Sequence, residues 1–317
     1  MRSVVVTEWL AQTEWATWHR TAMTGDASAR RYERLSHPLG AQAILMDAPP
    51  DTCGSQDRFV QIANHLTSIG LSAPLILAWD ESLGLMVLED LGASDFALHL
   101  RAEPNDEISL YEAAVDVLLH LGASNAPTGL PIMTPDIGSD MIDIAFDWAA
   151  QDKSVQLVND IKASMTGLLR SVSPNPTTLS LRDFHAENLI WRPREIGHTR
   201  VGLLDFQDAF VTHPAYDLAS LLRDARRDVD PELTAPLLKR LGGGSEMRAA
   251  FHIHAVQRNL RILGIFERLA RRDEKTGYLD LVPRVRRHLM TDLNAPELSA
   301  IAPLIKRAFE LTEDPIT

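Results

Sequence analysis

The sequence holds a single cysteine, Cys53, so no disulfide can form within the chain and a disulfide-stapled scaffold is excluded. Positive charge is in short supply: 31 Lys and Arg stand against 43 Asp and Glu, a net charge of −12. A surface this acidic repels phosphate and anionic lipid, which argues against non-specific nucleic-acid or membrane-surface binding. No apolar run approaches the ~18 residues of a membrane-spanning helix. At the N-terminus the apolar stretch is only Val4 to Val6, with Glu8 close behind, unlike a signal peptide. Internal repeats and low-complexity tracts are lacking as well. These absences predict a soluble, cytoplasmic protein. What is present is ordinary globular material, 45% hydrophobic and 23% charged over 317 residues, enough for a sizeable core and about two domains.

The first ninety residues read as a mixed α/β unit. Trp9 to Arg20 predicts a helix, ended by Gly25. Ala41 to Met46 predicts a strand closed by Pro49-Pro50. Phe59, Ile62, Ala63 and Leu66 follow the spacing of an amphipathic helix, with Gly70 placed to cap it. Leu85 to Leu88 is a short apolar run suited to a buried strand, and Glu89 to Gly92 breaks the pattern. A boundary there divides the chain into 1–91 and 92–317. Beyond it the pattern is mostly helical, with candidates at Ile108–Leu121 and Val155–Leu169. Pro174 and Pro176 precede a compact stretch of short strands and loops, Leu179 to Phe210. Helix resumes from Tyr216, with Gly242-Gly243-Gly244 separating two helices.

That compact stretch carries the chemistry. Asp183 and Asn188 are five residues apart, and Asp205 ends an apolar run 22 residues after Asp183. Two short strands, near Leu189–Trp191 and Val201–Leu204, predict a hairpin that brings Asn188 and Asp205 to one end. Phosphoryl transfer needs such a set: oxygen ligands for Mg²⁺ on the nucleotide phosphates, and a carboxylate to accept the proton of the attacking hydroxyl. The spacing D-x-x-x-x-N, an apolar strand, then D-F matches kinase catalytic-loop and metal motifs, with Asp183 as base and Asn188 and Asp205 as ligands. Taken singly, Asp183 could be a turn or cap residue and Asn188 a loop amide. Asp217 opens a helix, where a carboxylate is favourable, or turns inward to hold the catalytic-loop backbone.

These residues resemble the aminoglycoside-phosphotransferase and choline-kinase-like superfamily, whose pattern is H-x-D-x-x-x-x-N, then I-D-F/W, then P-x-Y-D-L-A. Here it stands as Leu181-Arg182-Asp183 to Asn188, Leu204-Asp205-Phe206, and Pro214-Ala215-Tyr216-Asp217-Leu218-Ala219. The stretches 27–32, 44–50, 87–92, 182–189, 203–209, 216–225 and 260–279 are similar to bacterial anomeric kinases of N-acetylmuramate and N-acetylglucosamine. The likeness runs from about Asp26 to Leu289. It implies an α+β, protein-kinase-like two-lobed fold with a small β-rich N-lobe and a larger, mainly helical C-lobe. It further implies an ATP- and Mg²⁺-dependent kinase acting at C1 of an amino sugar in cell-wall recycling. By carry-over, Thr24 to Tyr32 would turn over the ATP phosphates, Glu89 and Leu91 would bind adenine through backbone groups, and Asp217 would brace the catalytic loop.

The sequence departs from the pattern in two places. The H-x-D histidine is Leu181. The β3 position where kinases carry a phosphate-binding lysine reads Ile44-Leu45-Met46-Asp47, and Gln56 to Ser68 lacks the partner Glu. Losing both members of an ion pair is coherent, since an orphaned charge is costly. The phosphates then need another cation, Arg30 or Arg31, unless that pair is solvated strand-edge charge.

Several smaller features have two readings. Arg258 or Arg261 could face an anionic sugar acid, or belong to a solvated helix face. Asp147 beside Trp148 suits a sugar's hydroxyls and apolar face, with core packing the better reading of Trp148. His185 with Asp183, Asp205 and Asp208 could mimic a metallohydrolase cluster. His252 and His254 lie two apart on a helix and point different ways. The Gly triplet lacks the Lys-Ser/Thr of a P-loop. The competing functions are an antibiotic or aminoalcohol (choline- or homoserine-type) kinase and a nucleotide-binding pseudokinase. A protein kinase is disfavoured, because 12 residues from Asp205 to Asp217 leave no room for an activation segment.

Overall fold

The computed structural model describes residues 2–23 and 29–312. The chain is α+β. An N-terminal five-stranded antiparallel sheet is followed by a mainly helical region. In chain order the elements of the first part are α1 (Arg2–Leu10), β1 (His19–Ala22), β2 (Arg31–Ser36), β3 (Gln42–Asp47), α2 (Pro50–Cys53), α3 (Asp57–Ser68), β4 (Ile76–Asp80) and β5 (Leu85–Glu89). Then come α4 (Phe96–Ala102), α5 (Glu107–Ala123), α6 (Pro135–Asp140), α7 (Asp143–Trp148), α8 (Val155–Val172), β6 (Thr178–Ser180), β7 (Leu189–Trp191), β8 (Val201–Leu203) and β9 (Phe210–Thr212). The last are α9 (Ala215–Leu222), α10 (Thr234–Leu241), α11 (Gly244–Arg271), α12 (Val282–Asp292) and α13 (Ala302–Phe309). Two compact units result: 1–95 with 189–207, and 96–188 with 208–317.

In the first unit the sheet order is β1-β2-β3-β5-β4. Strand alternation puts Leu35, Ala43, Leu45, Leu85 and Val87 on one face, where they bury Val6 and Leu10 of α1 together with Trp15. The expected helix over Trp9–Arg20 is corrected: the helix is Arg2–Leu10, and His19–Ala22 is an edge strand. Thr13 is the reason. Its hydroxyl donates to Leu10 O (2.7 Å) and accepts from Trp15 N (3.3 Å), giving the backbone an alternative to another helical turn. Gly25 lies outside the described residues. The α3 reading holds residue by residue, with Phe59, Ile62, Ala63 and Leu66 buried. Gly70, at φ +83°, ends it: Gly70 N donates to Thr67 O (3.0 Å) and Leu71 N to Leu66 O (2.9 Å), a Schellman closure.

The hairpin β7–β8 belongs to this unit, pairing Leu189 with Leu203 and Trp191 with Val201. It is tied to the unit by isolated bridges, Ser72 with Gly202 and Asp95 with Ile190.

The second unit packs α7, α8, α11, α12 and α13 around a core that includes Phe146, Ile161, Met165, Leu260, Leu263, Leu289 and Phe309. Helix α11 passes α7 so closely that a Cβ on Gly264 would lie 2.4 Å from Ile144 O. Gly242, Gly243 and Gly244, all at positive φ, join α10 to α11. Among the described residues no helix is long and apolar enough to cross a membrane.

Candidate active site

The loop from β6 to β7 is held from beneath by carboxylates. Asp217, in the first turn of α9, is buried and turned inward. It accepts from Ser180 Oγ (2.7 Å), Leu181 N (2.7 Å) and Arg182 N (3.0 Å). Both readings of Asp217 are therefore met by one side chain, which starts a helix and fixes the loop. Burial pushes its carboxyl up to about 6, against the pull of these donors and of the Arg258 charge. Leu181, standing where the pattern has histidine, is buried, and its backbone rather than its side chain is what Asp217 holds. Arg182 is forced to φ +71°, a strained conformation for a non-glycine residue immediately before Asp183.

A second carboxylate was not anticipated from the sequence. Asp224 accepts from Ala186 N (3.3 Å) and Arg226 N (2.8 Å), gripping the far side of the same loop. No helical periodicity announces it: α9 ends at Leu222, and Asp224 lies two residues beyond, after the Arg223 cap. Asn188 closes the loop, its Nδ2 donating to Asp183 O (2.8 Å) and lying 3.2 Å from His185 Nε2. His185 is buried and kept neutral, its pKa lowered well below the ordinary value by burial, then by Arg226 and Arg258. The metallohydrolase cluster does not form: among the described residues no group of three His, Cys, Asp or Glu could hold a metal.

In the first unit Asp205 follows β8 at φ +57°, the second strained residue of the motif, and accepts from Gln207 Nε2 (2.8 Å). Phe206 is fully buried and stacked on Phe59 of α3, ring centroids 5.0 Å apart. Burial raises the Tyr32 phenol, the Arg30 guanidinium lowers it through charge and a hydrogen bond, and the Asp205 carboxylate raises it. Arg30, Tyr32 and Asp205 are thus electrostatic neighbours. The two candidate cations differ: Arg30 precedes β2 and interacts with Tyr32, whereas Arg31 opens the strand, shares a face with Glu33 and Leu35, and is exposed. Arg34 is committed to Asp90 (2.6 Å). Of the expected phosphate turn, Thr24 to Ser28 lie outside the described residues.

Glu89 ends β5, its carboxylate accepting from Leu75 N (3.3 Å) and facing Arg192 (3.4 Å). Leu91 is buried against Gly202, where a Cβ would come within 3.0 Å of it. The sugar-site candidates separate. Asp147 is exposed on α7, Arg261 is half-buried on α11, and Arg258 is buried, with Nη1 unpartnered. Arg258 acts electrostatically on His185, Asp217 and Asp224, so the solvated-face reading fails for it. His252 and His254 diverge as their spacing predicts: one meets Asp292 (2.9 Å) and the other stacks on His213.

Residues 19–254 match the sequence profile of the phosphotransferase enzyme family, APH. The chain belongs to this family. The APH phosphotransferase chain is 36% identical to an N-acetylmuramate/N-acetylglucosamine kinase of Caulobacter vibrioides, over 89% of this chain and 90% of that one. It is 30% identical to a protein of the same description from Pseudomonas aeruginosa, over 89% and 86%. Among solved structures, a choline/ethanolamine kinase family protein from Mesorhizobium loti superposes with a TM-score of 0.68 at 16% identity, covering 96% of this chain and 99% of that one. The APH chain is accordingly a nucleotide-using kinase with a kinase-like fold.

Proposed function

We propose that this phosphotransferase moves the γ-phosphoryl group of ATP to the C1 hydroxyl of N-acetylmuramate or N-acetylglucosamine, a cell-wall recycling reaction. The observation that carries the reading is the 36% identity to a kinase of that description along nine-tenths of both chains. The first unit, to which 189–207 belong as well as the expected 1–91, serves as the nucleotide lobe, and the helical second unit serves the acceptor. Asp183 is the base. It takes the C1 hydroxyl proton as that oxygen bonds to the γ-phosphorus and the bond to the departing ADP oxygen breaks. Asp217 and Asp224 keep the loop from relaxing when the charge shifts, since their acceptor oxygens hold three of its N–H groups, those of Leu181, Arg182 and Ala186.

Asn188 and Asp205 suit Mg²⁺. Both offer hard oxygen donors, and because the Asn188 Nδ2 is spent on Asp183 O and His185, the amide oxygen is the atom left for a cation. They would hold the ion, which when bound neutralises phosphate charge. Arg30 serves the phosphates in place of the missing lysine, and Glu89 and Leu91 serve adenine through their backbone. The test is acceptor-dependent ADP release on a panel of N-acetylmuramate, N-acetylglucosamine, kanamycin, choline and homoserine. Turnover of the first two, with a product labile to mild acid, is the expected result. Turnover confined to the last three would overturn the substrate and leave the kinase, and ATP binding without turnover would favour the pseudokinase.

A further inference from the structure

A pocket of about 130 Å³ opens beside the catalytic loop in the second unit. One wall is Glu187, next to Asn188, and another is the end of α4, where Ala97 and Leu100 give an apolar surface and Arg101 a charge. Asp224, Arg226 and Arg227 complete it. Its charges are mostly committed to one another. Asp224 holds backbone N–H groups. Arg226 pairs with Glu187 (3.0 Å). Arg227 is bound to Glu107 and to Tyr111 Oη (2.7 Å). Arg101 is exposed, and among the described residues no carboxylate pairs with it. Counting Glu107, which neutralises Arg227 from just outside the lining, the charges balance overall, and Arg101 is the lining guanidinium that no carboxylate pairs with among the described residues and that faces solvent.

At about 130 Å³ and open to solvent, the pocket has room for a short carboxylate-bearing arm. A planar guanidinium pairs a carboxylate bidentately, and Ala97 and Leu100 would cover the alkyl part of such an arm. We propose that this pocket receives the carboxylate substituent of an anionic sugar acceptor, with Arg101 as its partner. This rests on the sugar-kinase reading and deepens it. N-acetylmuramate carries such an arm, a lactyl ether, and N-acetylglucosamine does not. Arg258 and Arg261, the arginines singled out from the sequence, do not line this pocket.

The test compares the two sugars on one enzyme. R101A should lower the ratio of kcat/KM for N-acetylmuramate over N-acetylglucosamine by about 10- to 100-fold, mainly through KM, as expected for a lost charged hydrogen bond. R101E should lower it further, and R101K should restore part of it. Arg101 is exposed at a helix end, so all three variants should fold, and an unchanged thermal midpoint checks that. An unchanged ratio with both sugars turned over would overturn the pocket assignment and leave the sugar-kinase reading intact. Turnover of neither sugar by the unmodified enzyme would overturn both.

Discussion

At the scale of single residues, the catalytic loop is held by carboxylates bonded to its backbone. Asp217 has its pKa raised to about 6 by burial, and it must be ionised to accept from Ser180, Leu181 and Arg182 together. The consequences for stability and catalysis have opposite signs. A carboxyl whose folded pKa exceeds its unfolded value of about 3.9 favours folding while protonated; that contribution is full below about pH 4 and is lost as pH rises through about 6. Catalysis, which needs the loop held, should instead fall as pH drops through 6. D217N, which mimics the protonated form, should lower kcat about 10- to 100-fold and remove this acid limb, as a kcat profile from pH 5 to 8 would show. Persistence of the limb in D217N would assign it elsewhere. Asp183, Asn188 and Asp217 were singled out in the sequence by spacing and resemblance, and the structure gathers Asn188 and Asp217 on the loop that carries Asp183. Asp224 was not singled out, because it lies beyond the end of α9 in a segment with no periodic pattern. Arg30 lies just before β2, and its interaction with Tyr32, not strand alternation, sets it apart from Arg31.

At the scale of elements, local rules read well where one physical signal dominates. Helix α3 shows a clean apolar stripe and a glycine stop. The stretch 9–20 does not: its apolar residues suit a helix, and the Thr13 hydroxyl closes the helix early. Glycines with different duties give separable predictions. G70A adds a Cβ into open space at positive φ and should cost about 1 kcal/mol from backbone strain. G264A drives a Cβ into the Ile144 backbone of α7 and should cost about 3 kcal/mol or more, since the obstacle is backbone and not a flexible side chain. Urea midpoints of the two variants measure both, and equal costs would contradict the close α7–α11 crossing.

At the scale of the whole molecule, the α+β class and family were readable from the motif stretch and its likeness to the phosphotransferases. The membership of the β7–β8 hairpin in the first unit was not. Its strands have three residues each, and the bridges that attach it pair Ser72 with Gly202 and Asp95 with Ile190, contacts across more than ninety positions that leave no local pattern. In a chain of net charge −12, cations meant for the anionic groups of a nucleotide or a sugar acid must be concentrated locally, which is the role proposed for Arg30 and Arg101. The most direct test of the account is kcat for D183N beside the unmodified enzyme on N-acetylglucosamine, with the thermal shift by Mg-ATP recorded for both. The account predicts a fall of about 10³-fold or more in kcat with the ATP-dependent shift retained, because proton acceptance is lost and nucleotide binding is not. Near-normal turnover by D183N would contradict the assignment of Asp183 as the base and, with it, the reading of residues 179–210 as a phosphoryl-transfer site.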